Sequence, residues 1–172
     1  MANKTINTIV VCGAGTMGSG IAQVAATAGF KVLQFDLNES MLLKAAQSIE
    51  KSLLKFAEKG KLSKEAVEKA LSSIRYTSDI AECKGELVIE AIIENKEAKV
   101  GLFNQLFTNN GSQLMIASNT SSISIDSIAE KVLFPSQLVG MHFFIPAPMM
   151  KLVEVIQGKY TPQKLSSLHT PE

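Results

Sequence analysis

The amino-acid sequence predicts an α/β fold with an open, mostly parallel sheet that helices cover on both sides. Two observations predict it. Short apolar runs rich in β-branched residues alternate along the chain with segments of helical spacing. In addition, the first apolar run ends in a glycine-rich turn that opens a helical segment, as in doubly wound sheets of the Rossmann type.

The first three predicted elements make one strand–helix–strand unit. Residues 6–12 form an apolar run that glycines end, which predicts a strand buried on both faces. The spacing predicts a helix over residues 17–28, with Gly29 as its C-terminal cap, and a second strand over residues 31–36. This arrangement has the size of a parallel βαβ crossover.

The rest of the chain continues the alternation after an inserted helical hairpin. Two polar, Lys-rich helices are predicted, with Gly60 between them and Ser63 as the N-cap of the second. The hairpin helices cover residues 39–59 and 63–73, later helices cover 96–108 and 125–131, and strands cover 87–91, 114–118, 138–143 and 151–156.

Composition excludes several classes of protein. The chain has 172 residues, 46% of them hydrophobic, which is enough for one full core and excludes a disordered chain. The 17 basic and 16 acidic side chains give a net charge of +1, which disfavours a nucleic-acid binder. Arg75 is the single arginine, so several arginine forks cannot bind phosphate here.

The sequence also carries signals about compartment. No apolar run approaches the length of a membrane span, and the first residues are unlike a signal peptide. Cys12 lies in a predicted buried strand, and Cys83 is the other cysteine, so both thiols are expected to be reduced. We therefore predict a cytoplasmic protein with no membrane partner.

The glycine-rich turn matches the G-x-G-x-x-G pattern of dinucleotide-binding folds. The first glycine allows a tight turn, the second lets a diphosphate approach the backbone, and the third allows close packing of the helix. Free amides at the start of the helix would then bind the phosphates. An ordinary strand-to-helix turn is the alternative interpretation. The predicted cofactor-binding residues here are Gly13, Ala14, Gly15, Thr16, Met17 and Gly18.

Asp36 favours the dinucleotide interpretation. It lies 23 residues after Gly13, at the end of the second predicted strand, where a carboxylate can accept hydrogen bonds from an adenosine ribose. Because a carboxylate repels a 2′-phosphate, NAD is favoured over NADP. The turn by itself leaves FAD open.

Four segments together resemble the NAD-binding domain of the short-chain L-3-hydroxyacyl-CoA dehydrogenases, a family that includes the bacterial 3-hydroxybutyryl-CoA dehydrogenases. In chain order they are GAGTMGSGIAQ, IEAIIENKEAK, ASNTSS and GMHFFIPAPMMKLVEVI, and the resemblance runs from about residue 6 to residue 158. It implies NAD-dependent, reversible oxidation of a 3-hydroxyacyl-CoA to the 3-ketoacyl-CoA in fatty acid metabolism, with an acyl-CoA as partner and no metal.

The resemblance also implies the catalytic residues. His142 matches the base that takes the hydroxyl proton, and histidine ordinarily titrates near pH 6.5, which suits this transfer. Glu154 matches the family's carboxylate partner of this base, and it lies on the next predicted strand, so a loop that doubles back can bring the two side chains together. Ser121 matches the serine that contacts the substrate oxygen near the nicotinamide. Without the family, a structural role for such a histidine is the more common one.

Further residues match the family's binding positions. Asn119 is expected to help place the nicotinamide, and Glu94 and Lys99 match residues near the ribose and phosphates of the cofactor. Ser52 and Lys59, seven residues apart on one helix face, match positions that bind the coenzyme A nucleotide. Solvated surface positions are the alternative for these charged residues.

The resemblance implies a domain plan with one local departure. Residues 1–158 are expected to form the NAD-binding domain, and residues 159–172, with Thr161 as an N-cap and Pro162 after it, the start of a helical domain that is otherwise absent. The family's dimer contact lies in that domain, so the parent protein is expected to be a homodimer. Ile145 stands where the family usually has Asn, which predicts weaker placement of the nicotinamide.

Two other functions remain open at this stage. One is a non-catalytic NAD-binding module or a truncated cofactor domain, which would bind NADH without turnover. The other is a related dehydrogenase that acts on a different hydroxy acid and has no preference for CoA thioesters.

Overall fold

A computed structural model describes residues 5–162 as one sheet of seven strands with helices on both sides. The strands are β1 (Thr8–Cys12), β2 (Lys31–Phe35), β3 (Ile74–Thr77), β4 (Leu87–Glu90), β5 (Met115–Ser118), β6 (Leu138–Phe143) and β7 (Val153–Ile156). The α-helices are α1 (Thr16–Thr27), α2 (Glu39–Glu58), α3 (Lys64–Ser72), α4 (Lys96–Asn110) and α5 (Ile125–Ala129).

The strand order is β3-β2-β1-β4-β5-β6-β7. All neighbouring strands are parallel except β6 and β7, which are antiparallel. The predicted open, mostly parallel sheet is therefore confirmed. The order reverses between β1 and β4, and in such sheets the loops at the carboxyl ends of these strands separate to leave a crevice for a ligand.

Helices cover both faces of the central strands, as the apolar runs predicted. On one face, Ile21 of α1 and Ile49 of α2 belong to one buried apolar cluster with alternate residues of β1. On the other face, Phe103 of α4 and Ile128 of α5 pack against the remaining residues of β1 and β4. This arrangement fixes the carboxyl ends of the strands, on which the candidate site depends.

The predicted hairpin of α2 and α3 is present, and the hydroxyl oxygen of Ser63 accepts a hydrogen bond from the amide of Ala66 at 3.1 Å, as expected of an N-cap. Gly60 between the helices has a φ of 68°, in the left-handed region that favours glycine. The sequence pattern thus located this insertion and both of its boundaries.

Two strands differ from the predictions. β3 was not predicted, because its four residues IRYT include an exposed arginine and give too short an apolar signal at the sheet edge. β7 begins at Val153 rather than at residue 151, and all four of its residues are exposed. The predicted helix that follows Thr161 lies outside the described residues.

Both cysteines are buried and free; the sequence predicted the burial of Cys12 but not that of Cys83. Burial raises the pKa of the Cys83 thiol to about 12, so it stays protonated near neutral pH. No helix within residues 5–162 is long and apolar enough to cross a membrane.

Candidate active site

The glycine-rich turn between β1 and α1 is too crowded for side chains at two of its positions. Gly13 has a φ of 108°, and a Cβ there would lie 2.4 Å from the carbonyl oxygen of Ala91. A Cβ at Gly18 would lie 2.0 Å from the carbonyl oxygen of Gly13, so only a glycine at this third position allows the start of α1 to lie so close to the turn. A Cβ at Gly15 would instead meet open space, so this position faces the crevice.

Asp36 connects this turn to the end of β2. Its Oδ2 accepts a hydrogen bond from the amide of Ala14 at 2.8 Å, and its Oδ1 accepts one from the amide of Asn38 at 2.9 Å. The amide of Gly13 donates to the carbonyl of Phe35, and the buried Gln34 donates to the carbonyl of Gly13. The turn and the acid are therefore held in a fixed relation by adjacent residues of β2.

A cavity of about 910 Å³ opens at this position. Gly13, Gly15 and Asp36 line its polar part, and Ile92 and Leu102 belong to its apolar part. Gly15 also leaves the first turn of α1 without a side-chain cap. Free helix-end amides, a carboxylate and an apolar wall fit the diphosphate, ribose and adenine of a dinucleotide, so the residues present suit NAD.

His142 and Glu154 meet across the antiparallel pair β6–β7. They are directly opposite in register, and His142 Nδ1 lies 3.0 Å from Glu154 Oε2. A carboxylate only accepts hydrogen bonds, so Nδ1 carries the hydrogen and Nε2 is left as the acceptor. The side chains are 25% and 53% exposed, which leaves the imidazole accessible to a substrate.

The loop after β5 lies between the cavity and this histidine pair. Asn119 donates its amide to the carbonyl of Glu90, and its side-chain oxygen accepts a hydrogen bond from the amide of Phe143 at 2.8 Å. Asn119 thus ties the loop to both β4 and β6. The adjacent Ser121 is exposed at the same edge of the sheet, and its amide donates to Glu94 at 3.2 Å.

Glu94 binds three residues of this loop. Its Oε1 accepts hydrogen bonds from the hydroxyl of Thr120, the amide of Ser121, and both the amide and the hydroxyl of Ser122. Partial burial acts to raise its pKa, but the hydrogen bonds from Thr120 and Lys99 and the charge of Lys99 together lower the pKa of Glu94 to about 2. Glu94 is therefore ionised at neutral pH.

Lys99 is enclosed rather than open to the crevice. Its side chain is 1% exposed, and its Nζ lies 2.5 Å from Glu90 and 3.2 Å from Glu94. The side chain thus contacts Glu90 and Glu94 and does not line the cavity, and its predicted place near the ribose and phosphates of the cofactor stays a prediction.

The predicted coenzyme A residues lie apart from this cluster. Ser52 is half-buried in α2, and Lys59 is exposed directly after that helix. Neither side chain lines the cavity. Ile145, which stands two residues after Phe143, is 68% exposed.

Glu90 is the main residue of this region that the sequence interpretation missed. It ends β4, is fully buried and binds both Lys99 and Ser118. The available signal was a carboxylate inside the apolar run LVIEA, which was predicted to be a strand of a sheet that helices cover on both sides, because a buried carboxylate requires a partner. In the part of the chain that the structure covers, no three His, Cys, Asp or Glu side chains are grouped to hold a metal ion.

Comparison with known proteins gives consistent results. Residues 8–169 match the family model described as 3-hydroxyacyl-CoA dehydrogenase, NAD binding domain. The probable 3-hydroxybutyryl-CoA dehydrogenase of Deinococcus radiodurans is 46% identical over 93% of this chain and 58% of that protein. The mitochondrial hydroxyacyl-coenzyme A dehydrogenase of Sus scrofa is 44% identical over 91% of this chain and 52% of that protein.

A solved structure resembles the whole described fold. The crystal structure of 3-hydroxybutyryl-CoA dehydrogenase from Escherichia coli superposes with a TM-score of 0.91 at 41% identity, covering 94% of this chain and 34% of that one. The chain thus spans between about a third and three fifths of the length of these relatives.

Proposed function

We propose that this chain, which belongs to the 3-hydroxyacyl-CoA dehydrogenase family through its NAD-binding domain, binds NAD and serves the reversible oxidation of 3-hydroxyacyl-CoA to 3-ketoacyl-CoA. The observation that carries this proposal is the His142–Glu154 pair, which stands at the same sheet edge as the glycine turn and Asp36. A module that only binds a dinucleotide has no need for such a pair.

Cofactor binding rests on the first strand–helix–strand unit. The amides at the start of α1 bind the diphosphate, and Asp36 accepts hydrogen bonds from the ribose. Asn119 and Glu94 hold the loop beside which the nicotinamide end lies. When bound, NAD supplies a hydride acceptor for the substrate's carbon 3.

His142 is the proposed base. Its Nε2 takes the proton of the 3-hydroxyl group during oxidation and returns it in the reverse direction. Glu154 fixes the tautomer through Nδ1 and stabilises the imidazolium that forms. Ser121 donates a hydrogen bond to the substrate oxygen as charge develops on it.

The acyl-CoA class of substrate is supported by the names of the relatives. Ser52 and Lys59 are the proposed contacts with the coenzyme A nucleotide, the exposed ammonium of Lys59 pairing with a phosphate. We further propose a reducing, cytosolic location, supported by the two buried free thiols, and a homodimeric assembly of the whole protein.

The direct test is turnover. The whole protein should oxidise NADH when acetoacetyl-CoA is added, and the loss of NADH absorbance measures the rate. The rate with acetoacetyl-CoA should be higher than the rate with free acetoacetate. Binding of NADH without turnover would favour the non-catalytic module, whereas equal rates with the free acid would favour a dehydrogenase for another hydroxy acid.

A further inference from the structure

A buried carboxylate beneath the loop of residues 119–122 has no part in the mechanism above. Glu90 is 0% exposed, and an ionised carboxylate at such a position is costly unless it is paired. Its Oε1 accepts hydrogen bonds from Lys99 at 2.5 Å and from the amide of Ile92 at 2.8 Å, and its Oε2 accepts one from Ser118 at 2.7 Å. Both of its oxygens are therefore occupied.

Three ionisable groups meet at this point, and their charges do not cancel. Glu90 and Glu94 are both acidic, and Lys99 is the one cation that contacts them among the described residues. The group of three carries a net charge of −1 when all are ionised. The ammonium lies closer to Glu90, at 2.5 Å, than to Glu94, at 3.2 Å.

The two carboxylates of the group differ in exposure. Glu94 is 38% exposed, whereas Glu90 is sealed in the core. Glu94 also binds the backbone and hydroxyl groups of the loop that carries Ser121. Because Glu90 and Glu94 share the single positive charge of Lys99, a net negative charge remains next to the loop.

We propose that Glu90 is a positioning residue that sets the charge of the cofactor site and thereby strengthens the binding of the oxidised dinucleotide relative to that of the reduced one. This inference rests on the proposed function. The nicotinamide ring is a cation in NAD⁺ and neutral in NADH, while the rest of the molecule is the same. With the nicotinamide end beside the loop that Glu94 binds, as proposed above, a fixed negative charge there would stabilise the oxidised form alone.

Glu90→Gln tests this charge with little change of shape. The amide oxygen can still accept from Lys99 and Ile92, and the amide nitrogen can donate to the hydroxyl of Ser118. Lys99 is then paired with Glu94 alone, and the net charge of the group changes from −1 to zero. We expect the Kd of NAD⁺ to rise by about threefold to tenfold and the Kd of NADH to change by less than about twofold, measured by calorimetry.

Ser118→Ala is the matched control, because it removes a hydrogen bond to the same carboxylate without changing any charge. It should alter both Kd values by the same factor. A Glu90→Gln protein that binds both forms more weakly by one factor, or neither more weakly, would overturn the inference.

Thermal unfolding identifies a variant that fails to fold. In that case Glu94→Gln, which removes the partly exposed charge itself, replaces Glu90→Gln in the test. We expect it to raise the Kd of NAD⁺ but not that of NADH, and an equal change in both Kd values would overturn the inference. If the wild-type protein binds neither form, the proposed function fails and this inference with it. If wild-type binding is normal and the loss is not selective, this inference alone fails.

Discussion

Two acid–base pairs at the same edge of the sheet are held in opposite ways. Lys99 and Glu90 are 1% and 0% exposed and are enclosed between β4 and α4. His142 and Glu154 are 25% and 53% exposed and lie on the outermost strand pair, where every residue of β7 is exposed. The first pair is fixed by the core, whereas the second depends on the register of two strands.

This difference in exposure suits the two pairs to different roles: the enclosed pair to positioning and the exposed pair to proton transfer. A charge that the core encloses cannot exchange a proton with a substrate, but it can hold neighbouring groups in place. An imidazole that faces solvent on one side and a carboxylate on the other can gain and lose a proton reversibly. We therefore expect changes to the first pair to affect folding and binding, and changes to the second to affect turnover.

The strongest test of this division is His142→Gln. Loss of the base should lower the turnover number of the whole protein by about 10²- to 10⁴-fold, while the Kd of NADH stays within about twofold. Steady-state assays and calorimetry measure the two quantities. Glu154→Gln is the matched control, with a smaller loss expected because its amide oxygen can still accept from Nδ1. A His142→Gln protein with nearly normal turnover would contradict the assignment.

The two pairs should differ almost as much in stability. Glu90→Ala leaves the ammonium of Lys99 without its nearer partner in the core and should lower the free energy of unfolding by about 3–5 kcal/mol. Glu154→Ala should cost about 0–1 kcal/mol, because its side chain is 53% exposed. Urea titration at neutral pH measures the free energy of unfolding of both variants. Equal losses of stability would contradict the distinction between the enclosed pair and the exposed pair.

The sequence predicted the two regions unequally. The unit from β1 to β2 and the place of Asp36 followed from the glycine pattern, because local conformation dictates those residues. Glu90 was missed because its partners, Lys99 and Ser118, lie nine and 28 residues away and are brought together only by packing. The closeness of His142 and Glu154 followed from a loop that doubles back, but their exposure could not be predicted before β7 was known to be an edge strand.

The acid network should also have its own pH dependence. The pKa of Glu94 is lowered from 4.5 to about 2, so the ionised group stabilises the fold above pH 4.5, and this contribution is lost as the pH falls from 4.5 towards 2. In melting curves, the difference between the wild type and Glu94→Gln should shrink across that window. Thr120→Val removes a hydrogen bond that lowers this pKa and should move the loss to higher pH. If the difference in melting temperature between the wild type and Glu94→Gln is the same at every pH, ionised Glu94 does not stabilise the fold in this way.

The smallest expected effect concerns Ile145, next to the catalytic strand. Replacing this exposed side chain by the Asn that the family usually has offers one more hydrogen bond to the cofactor, worth on the order of 1 kcal/mol. Ile145→Asn should therefore tighten NADH binding about fivefold in a fluorescence titration. Ile145→Val, which adds no polar group, should leave the Kd unchanged, and equal affinities for all three proteins would reject the predicted contact.

The binding of NADH to the crevice beside β1 and β2 tests the whole account most directly. Calorimetry should show one NADH site per chain for the wild type and an affinity about tenfold to 100-fold lower for Asp36→Ala, which loses the charged acceptor of the ribose. Asp36 also holds the amide of Ala14, so Asp36→Asn, which keeps one acceptor oxygen, should lie between the two. No binding by the folded wild type, or equal binding by all three proteins, would contradict the placement of the cofactor.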